Sequence, residues 1–378
     1  MNVKDDNLIL PEWIAYHYTV APLRRLIVAV DKHSTTSPQS ILQNFNTTLP
    51  HLHISLWTDH DFMPFAKGLY WRKYNTSDTA SQNEKHRFFL YKQLVFYNHC
   101  ARIFKTENRT WTMFIDSDEY ASFNYIQDTN GARGHMEQCT NFPGRLCRKN
   151  GSPVDVLREF HIHIHHTDAT TQHDRLADFI HRYRGTLQEI QKGNGTNTTT
   201  TTTTTPDGKN HNHHHPTDND TLMCVYIPRT THGDKEDNTG AYKNLSLDIR
   251  NFRTFRYPFH NAIGNKHHGK SFLDVSSPRF IPGSIQNPHI AQPGACYNGG
   301  NGHGASMDVS HSFFLIHHFT GSYQEFLARP GDPTRTTETF QKRNTIPIKG
   351  KTESIQWWLQ VFVEQVGLQT AKKLFRAV

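Results

Sequence analysis

Chemistry in this chain concentrates at Trp111-Thr-Met-Phe-Ile-Asp116-Ser-Asp118-Glu119-Tyr120, where an apolar, aromatic run stops at three carboxylates. The pattern predicts a buried strand over 111–115 that delivers acids to the carboxyl edge of a sheet, the edge at which open α/β sheets bind ligands. Asp116 and Asp118, two apart, can share one hard divalent cation, and oxygen donors of this kind suit Mg²⁺ or Mn²⁺. A cation held there could in turn hold a nucleotide diphosphate. A bare Asp-x-Asp is also an ordinary capped turn after a strand, so the surrounding elements must carry the argument.

Those elements alternate. The opening residues read as the tail of a strand and its loop, with a half-strand and a membrane anchor expected upstream. A helix is predicted from Leu10, with Pro11 early and Glu12 in its first turn. The run 26–30 is a continuous apolar strand ending in Asp31, and a helix through Ile41, Leu42 and Phe45 follows. A second strand, 53–57, ends near Asp59, and a long helix is predicted over 83–104. Strands alternating with helices imply an α/β fold with a mostly parallel twisted sheet and helices on both faces. Asp31, Asp59 and the Asp116/Asp118 pair should then share one edge. Later, 153–190 reads as helical, 221–227 as a strand and 313–316 as an apolar strand running into His317-His318. The end, 353–378, reads as an amphipathic helix pair with Trp357 and Trp358.

Composition narrows the functional classes. The 378 residues carry a net charge of +7 and 24 Phe, 14 Tyr and 6 Trp, enough aromatic mass for a core despite a mean hydropathy of −0.69. Basic residues are dispersed and form no block interleaved with aromatics, which argues against nucleic acid as a partner. No 18-residue apolar span is present. Neither G-x-G-x-x-G after the first strand nor G-x-x-x-x-G-K-[ST] appears, which excludes a dinucleotide fingerprint and a P-loop. The five cysteines lack a C-x-x-C pair, so a zinc site is not indicated, and Cys139 and Cys147 could close a small loop in an oxidising compartment. N-x-S/T sequons at Asn46, Asn75, Asn108, Asn150, Asn194, Asn197, Asn219 and Asn244 are compatible with a secretory lumen. The Thr- and His-rich stretch 192–218 lacks the apolar residues to fold and reads as a disordered insert.

Several segments resemble glycosyltransferase family 92 and its GT-A relatives. Lys4-Asp5-Asp6-Asn7 with Glu12-Trp13-Ile14-Ala15-Tyr16-His17 is similar to the family's opening signature. Gln93, Tyr97 and Cys100 match its Q-x-x-x-Y-x-x-C helix, and Trp111 to Asn124 its W-x-x-F-I-D-x-D-E-[FY]…N motif. Pro228-Arg229 with Gly233, Lys270-Ser271 with His289, and His318-Phe319 with Tyr323-Gln-Glu325-Phe326 resemble its later motifs, in the same order. The chain departs from the pattern at His232-Gly233, where the family has F-G, and in its Thr/His insert.

The resemblance implies a single GT-A catalytic domain over 1–378. Its nucleotide-sugar half would cover 1–125, its acceptor- and metal-completing half 126–330, and its C-terminal helices 351–378. It implies a metal-dependent inverting transferase moving a hexose, galactose in the first instance, from a UDP-sugar to a glycan hydroxyl. Asp116, Asp118 and His318 would hold Mn²⁺ or Mg²⁺. Asp6 and Asp31 would lie near uridine and ribose, Lys270 on phosphate, Arg229 on phosphate or on the acceptor side, and His289 in the nucleotide-sugar site. Inversion needs a carboxylate to deprotonate the acceptor, and Glu236 and Asp234 are the candidates, with Glu119 a scaffold residue. The resemblance also places the protein in the Golgi lumen as a type II membrane protein. The alternatives are a non-catalytic sugar- or nucleotide-binding module on the same fold and a metal-dependent phosphohydrolase or nucleotidyltransferase using the same acids.

Overall fold

The computed structural model describes residues 1–21, 23–65, 81–109, 111–123, 134–139, 142–149, 224–233, 235–236, 247, 249, 251–261, 269–286, 289, 296–297, 314–328, 335–344, 348–351 and 353–376. The helix expected over 153–190, the insert 192–218 and Asp234 lie outside these residues.

The N-terminal third follows from its apolar runs. Strands β1 (Asn2–Val3), β2 (Arg25–Val30) and β3 (His53–Trp57) form a parallel sheet in that order. β2 is apolar at successive positions because both of its faces are covered. Leu26 and Val28 enter one core with helices α1 (Leu10–Val20) and α2 (Gln39–Thr48). Ile27 and Ala29 enter a second core with α4 (Gln82–Thr106), which follows the short α3 (Asp59–Phe62). The helix α4 begins at a capping box, with Ser81 accepting from the Glu84 amide and Glu84 reaching back to the Ser81 amide.

The remaining described strands pair differently from the expected single sheet. β4 (Trp111–Met113), β8 (Cys224–Ile227), β11 (Lys270–Asp274) and β12 (Cys296–Tyr297) form a sheet of order β12-β8-β11-β4, in which β11 is antiparallel to β4 and β8. β5 (Glu119–Phe123), β9 (Arg229–His232), β10 (Phe259–Asn261), β13 (Phe314–Phe319) and β14 (Ile348–Lys351) form another, of order β14-β10-β9-β13-β5. In it β13 is antiparallel to β5 and parallel to β9. β6 (Gly134–Cys139) and β7 (Phe142–Lys149) make an antiparallel hairpin whose backbone sets Cys147 opposite Glu137. The described residues are therefore mixed α/β, with one parallel sheet and others mixed or antiparallel among them. The expectation of one mostly parallel sheet is corrected because β4 pairs with a strand more than 150 residues later, and a short apolar run does not encode its partner's direction.

Glu12, expected as an ordinary first-turn acid, is buried. It accepts hydrogen bonds from the Arg253 and Thr254 amides at 2.7 and 2.9 Å and from the Tyr120 hydroxyl at 3.1 Å. It thereby caps α5 (Arg253–Arg256), a turn too short to satisfy its own amides. Beyond β13, α6 (Tyr323–Ala328) and α7 (Thr337–Asn344) precede the C-terminal helices α8 (Trp358–Val366) and α9 (Leu368–Phe375), whose Trp358, Phe362 and Leu374 close the first core. Among the described residues no helix is long and apolar enough to cross a membrane.

Candidate functional site at the Asp116–Glu119 turn

The ladder of β4 stops at Met113, two residues short of the expected strand end, and Phe114 and Ile115 then enter opposite cores. The chain turns at once, with the Glu119 amide donating to the Asp116 carbonyl at 3.1 Å. Glu119 Oε2 accepts from the Asp116 amide at 3.0 Å. The indole of Trp13, from α1, donates to the carbonyls of Asp116 and Glu119 at 3.2 and 2.9 Å. The opening helix thus holds the backbone of the acidic turn.

Side-chain alternation sorts the neighbouring sheet into two faces. In the β5–β13 register His318 stands opposite Glu119 and His317 opposite Tyr120, and in the β13–β9 register Ile316 stands opposite Arg229. Glu119, His318 and Arg229 share the face toward the turn. His317, Tyr120, Ser122 and His232 share the other.

On the first face the charges interlock. Lys270 at the start of β11 is fully enclosed and bridges Asp116 Oδ2 at 2.8 Å and Glu119 Oε2 at 3.0 Å. Arg229 approaches Glu119 Oε1 at 3.6 Å. Burial pushes Glu119 up to about 7 against the pull of Lys270 and Arg229. Asp116, whose side chain is 37 % exposed, goes the other way: its enclosure works to raise the pKa, and the Lys270 ammonium overrides it. Gln93 Nε2 and the Tyr97 hydroxyl, one turn apart on α4, reach Asp116 Oδ1 at 3.2 and 3.4 Å. Gly269 lets Lys270 in, since a Cβ there would collide with the Ile227 carbonyl.

Asp118 meets a different set. Its Oδ2 lies 3.4 Å from His318 Nε2 and 3.4 Å from Arg335 Nη2. The Ser117 hydroxyl between the two acids donates to Asp6 at 2.8 Å. Asp5, with φ of 54°, turns away and caps the loop after β2, accepting from the Thr35 and Thr36 amides at 2.7 and 2.8 Å. Burial raises the Asp5 pKa, but the bonds from Thr35 and Thr36 outweigh it and bring it to about 2. His289 Nδ1 lies 3.2 Å from the Gly269 carbonyl. Burial, reinforced by nearby Lys270, lowers its pKa to about 4.

The structure therefore gathers Asp116, Asp118, Lys270, Arg229, His289, His318 and Asp6 around one turn. Lys270, expected on phosphate, and Arg229, expected on phosphate or the acceptor side, both face carboxylates. Asp31 does not join the turn: it pairs with Lys92 at 3.1 Å, and the same ammonium binds Asp59 at 2.7 Å. Two of the three acid-tipped strands are thus tied together by a lysine of α4, while the third belongs to another sheet. Glu236 Oε1 accepts from Arg256 Nη2 at 2.6 Å, and Arg256 also binds Glu325 at 2.8 Å.

The donor set at the turn is chemically suited to a divalent ion, with carboxylate oxygen from Asp118 and Asp116 and imidazole nitrogen from His318. Neighbouring ligands of an octahedral ion with bonds of about 2.1 Å stand roughly 3 Å apart, close to the 3.4 Å between Asp118 Oδ2 and His318 Nε2. Among the described residues no three such groups already form a cage, and Asp116 would have to turn from Lys270 to complete one. Comparison with family models, curated proteins and solved structures finds no match to this chain.

Two features escaped the sequence reading. Arg335 follows β13 by 16 residues and carries no motif. On the reverse face, Ser122, His317 and His232 form a buried file, with Ser122 Oγ 2.7 Å from His317 Nε2, His317 Nδ1 2.9 Å from His232 Nε2, and His232 Nδ1 2.8 Å from the Tyr257 carbonyl. That carbonyl can only accept, so each neutral ring carries its proton on Nδ1 and Ser122 donates. Burial brings His317 down to about 3, too weakly basic to activate Ser122 as a nucleophile. The file cross-links three strands. Adjacent His-His and a lone Ser were its only traces in the sequence.

Proposed function

We propose that this protein is a metal-dependent inverting hexosyltransferase that takes a UDP-sugar, UDP-galactose in the first instance, and glycosylates a glycan hydroxyl. The observation that carries the reading is His318 Nε2 at 3.4 Å from Asp118 Oδ2, about 200 residues earlier in the chain, at the turn where Lys270 binds Asp116 and Arg229 faces Glu119. The ordered motifs that resemble those of glycosyltransferase family 92 support it. Asp116, Asp118 and His318 would hold Mn²⁺ or Mg²⁺, and such an ion neutralises charge on a departing diphosphate. Lys270 keeps Asp116 ionised, and Trp13 keeps both acids on one turn. Asp6, fixed by Ser117, faces the donor's nucleoside side. The acceptor proton goes to a carboxylate of the 234–236 segment, with Glu236 oriented by Arg256 and Asp234 its alternative.

A working place in the secretory lumen agrees with the sequons and with the disulfide bond of Cys224. The test is release of UDP from a panel of UDP-sugars with and without Mn²⁺, comparing wild type with Asp118→Asn. Turnover should require the metal and drop by at least about 100-fold in the variant, the scale of losing a charge-stabilising contact. Metal-independent turnover, or an Asp118→Asn protein as active as wild type, removes the reading.

A further inference from the structure

Two basic groups converge on one carboxylate oxygen. Arg335 Nη2 and His318 Nε2 each lie 3.4 Å from Asp118 Oδ2, and the side chains of Asp118 and Arg335 are 5 % and 11 % exposed. The Arg335 guanidinium rests over the Phe326 ring, 4.8 Å from its centroid, and Phe326 is buried in α6. Arg335 is therefore supported at the rim, just ahead of α7, whereas Lys270 is sealed beneath Asp116 and Glu119. A guanidinium and a divalent ion on the same oxygen repel each other in a partly desolvated site, so each weakens the other's hold on it. A guanidinium also stays charged when displaced and suits phosphate oxygens through its fork of donors.

We infer that Arg335 is a built-in place-holder for the divalent cation. It balances Asp118 while the metal is absent, yields that oxygen when the metal enters, and then binds the phosphate oxygens of the ligand the metal carries. The inference rests on the reading of Asp118 as a metal ligand. It makes Arg335 a contact for a nucleoside diphosphate, with Phe326 the platform that keeps it beside the ion after displacement.

The test titrates Mn²⁺ into metal-free wild-type protein, Arg335→Met and Arg335→Lys, reading free Mn²⁺ by electron paramagnetic resonance, and then measures UDP binding at saturating Mn²⁺. Methionine keeps an apolar stem over Phe326 without charge, circular dichroism checks the fold, and Arg335→Gln serves if the Met variant does not fold. Arg335→Met should bind Mn²⁺ about tenfold tighter or more, as expected for removal of a like charge at contact distance. It should bind UDP about tenfold more weakly, and Arg335→Lys should fall near wild type on both counts. Equal Mn²⁺ affinity in wild type and Arg335→Met overturns the place-holder and leaves the metal site standing. Tighter Mn²⁺ with unchanged UDP affinity overturns the phosphate contact. No Mn²⁺ binding by any of the proteins overturns both the inference and the reading beneath it.

Discussion

Lys270 is enclosed on every side, and its two carboxylate partners belong to one four-residue turn. A buried charge cannot be left without its counter-charge: removing one partner of such a pair costs about 3–5 kcal/mol because the survivor stays desolvated. Lys270→Met should therefore destabilise the protein by about that much in urea unfolding. It should also disorder the acidic turn, visible as loss of any Mn²⁺ binding. A stability change below about 1 kcal/mol would show that the ammonium is not what balances Asp116 and Glu119. The residue was legible only through the resemblance, as a basic group expected on phosphate. Its partner was not, since a lysine read from sequence suits a phosphate as well as a carboxylate, and only the approach of Gly269 to Ile227 decides where the ammonium ends.

β5, β13 and β9 do two jobs by alternation alone. One face presents Glu119, His318 and Arg229 to the turn, and the other packs Tyr120, His317 and His232 against α1 and the Tyr257 carbonyl. The histidines of that buried face must be neutral. On α1, His17 donates from Nδ1 to the Trp13 carbonyl at 2.8 Å and accepts the Ala121 amide at 3.1 Å. Burial lowers His17 and His317 to about 3 and His232 well below its ordinary value. Their folded pKa values are depressed, so the unfolded chain binds the extra protons. The stability that depends on neutral rings is whole above pH of about 6.5 and is lost as pH falls toward the folded values, by about 1.4 kcal/mol per pH unit for each ring. Urea midpoints should fall steeply from pH 7 to pH 5, and His17→Gln should flatten that slope. A midpoint unchanged over this range would contradict the neutral assignment. An apolar run placed β13 in the sequence, whereas β5 and β9 carried no such run; β13 also goes three residues past its expected end, because a run that turns to His317-His318 no longer scores as apolar while its backbone remains paired.

At the scale of the molecule, the parallel sheet is the wall between two cores, and β11 contributes Phe272 to the first and Leu273 to the second. Cys224 lies in the sheet of β4 and β11 and is disulfide-bonded. Cys100 sits in the second core, where burial pushes its thiol up to about 12. Reductant should therefore lower the stability of the whole molecule by about 2–4 kcal/mol, the usual worth of a disulfide closing a chain loop. Cys100 should resist thiol reagents until the protein unfolds. An unchanged melting temperature after reduction, verified by thiol counting, would show that the bond constrains nothing the fold needs.

The amino-acid sequence by itself determined the local elements. A continuous apolar run marked β2, the 53–57 run marked β3, a proline-started segment marked α1, the long helical segment 83–104 marked α4, and an apolar strand ending in acids marked the Asp116–Glu119 turn. These are decided by neighbours a few residues apart, through period, capping and turn chemistry. The tertiary structure alone decided which charge meets which. It set Lys92 between Asp31 and Asp59, Lys270 beneath Asp116 and Glu119, Arg256 on Glu236, and Arg335 with His318 on Asp118. The reason is physical: a buried charge takes the counter-charge that the packing of distant strands brings within about 4 Å, and no local pattern in a chain records that distance.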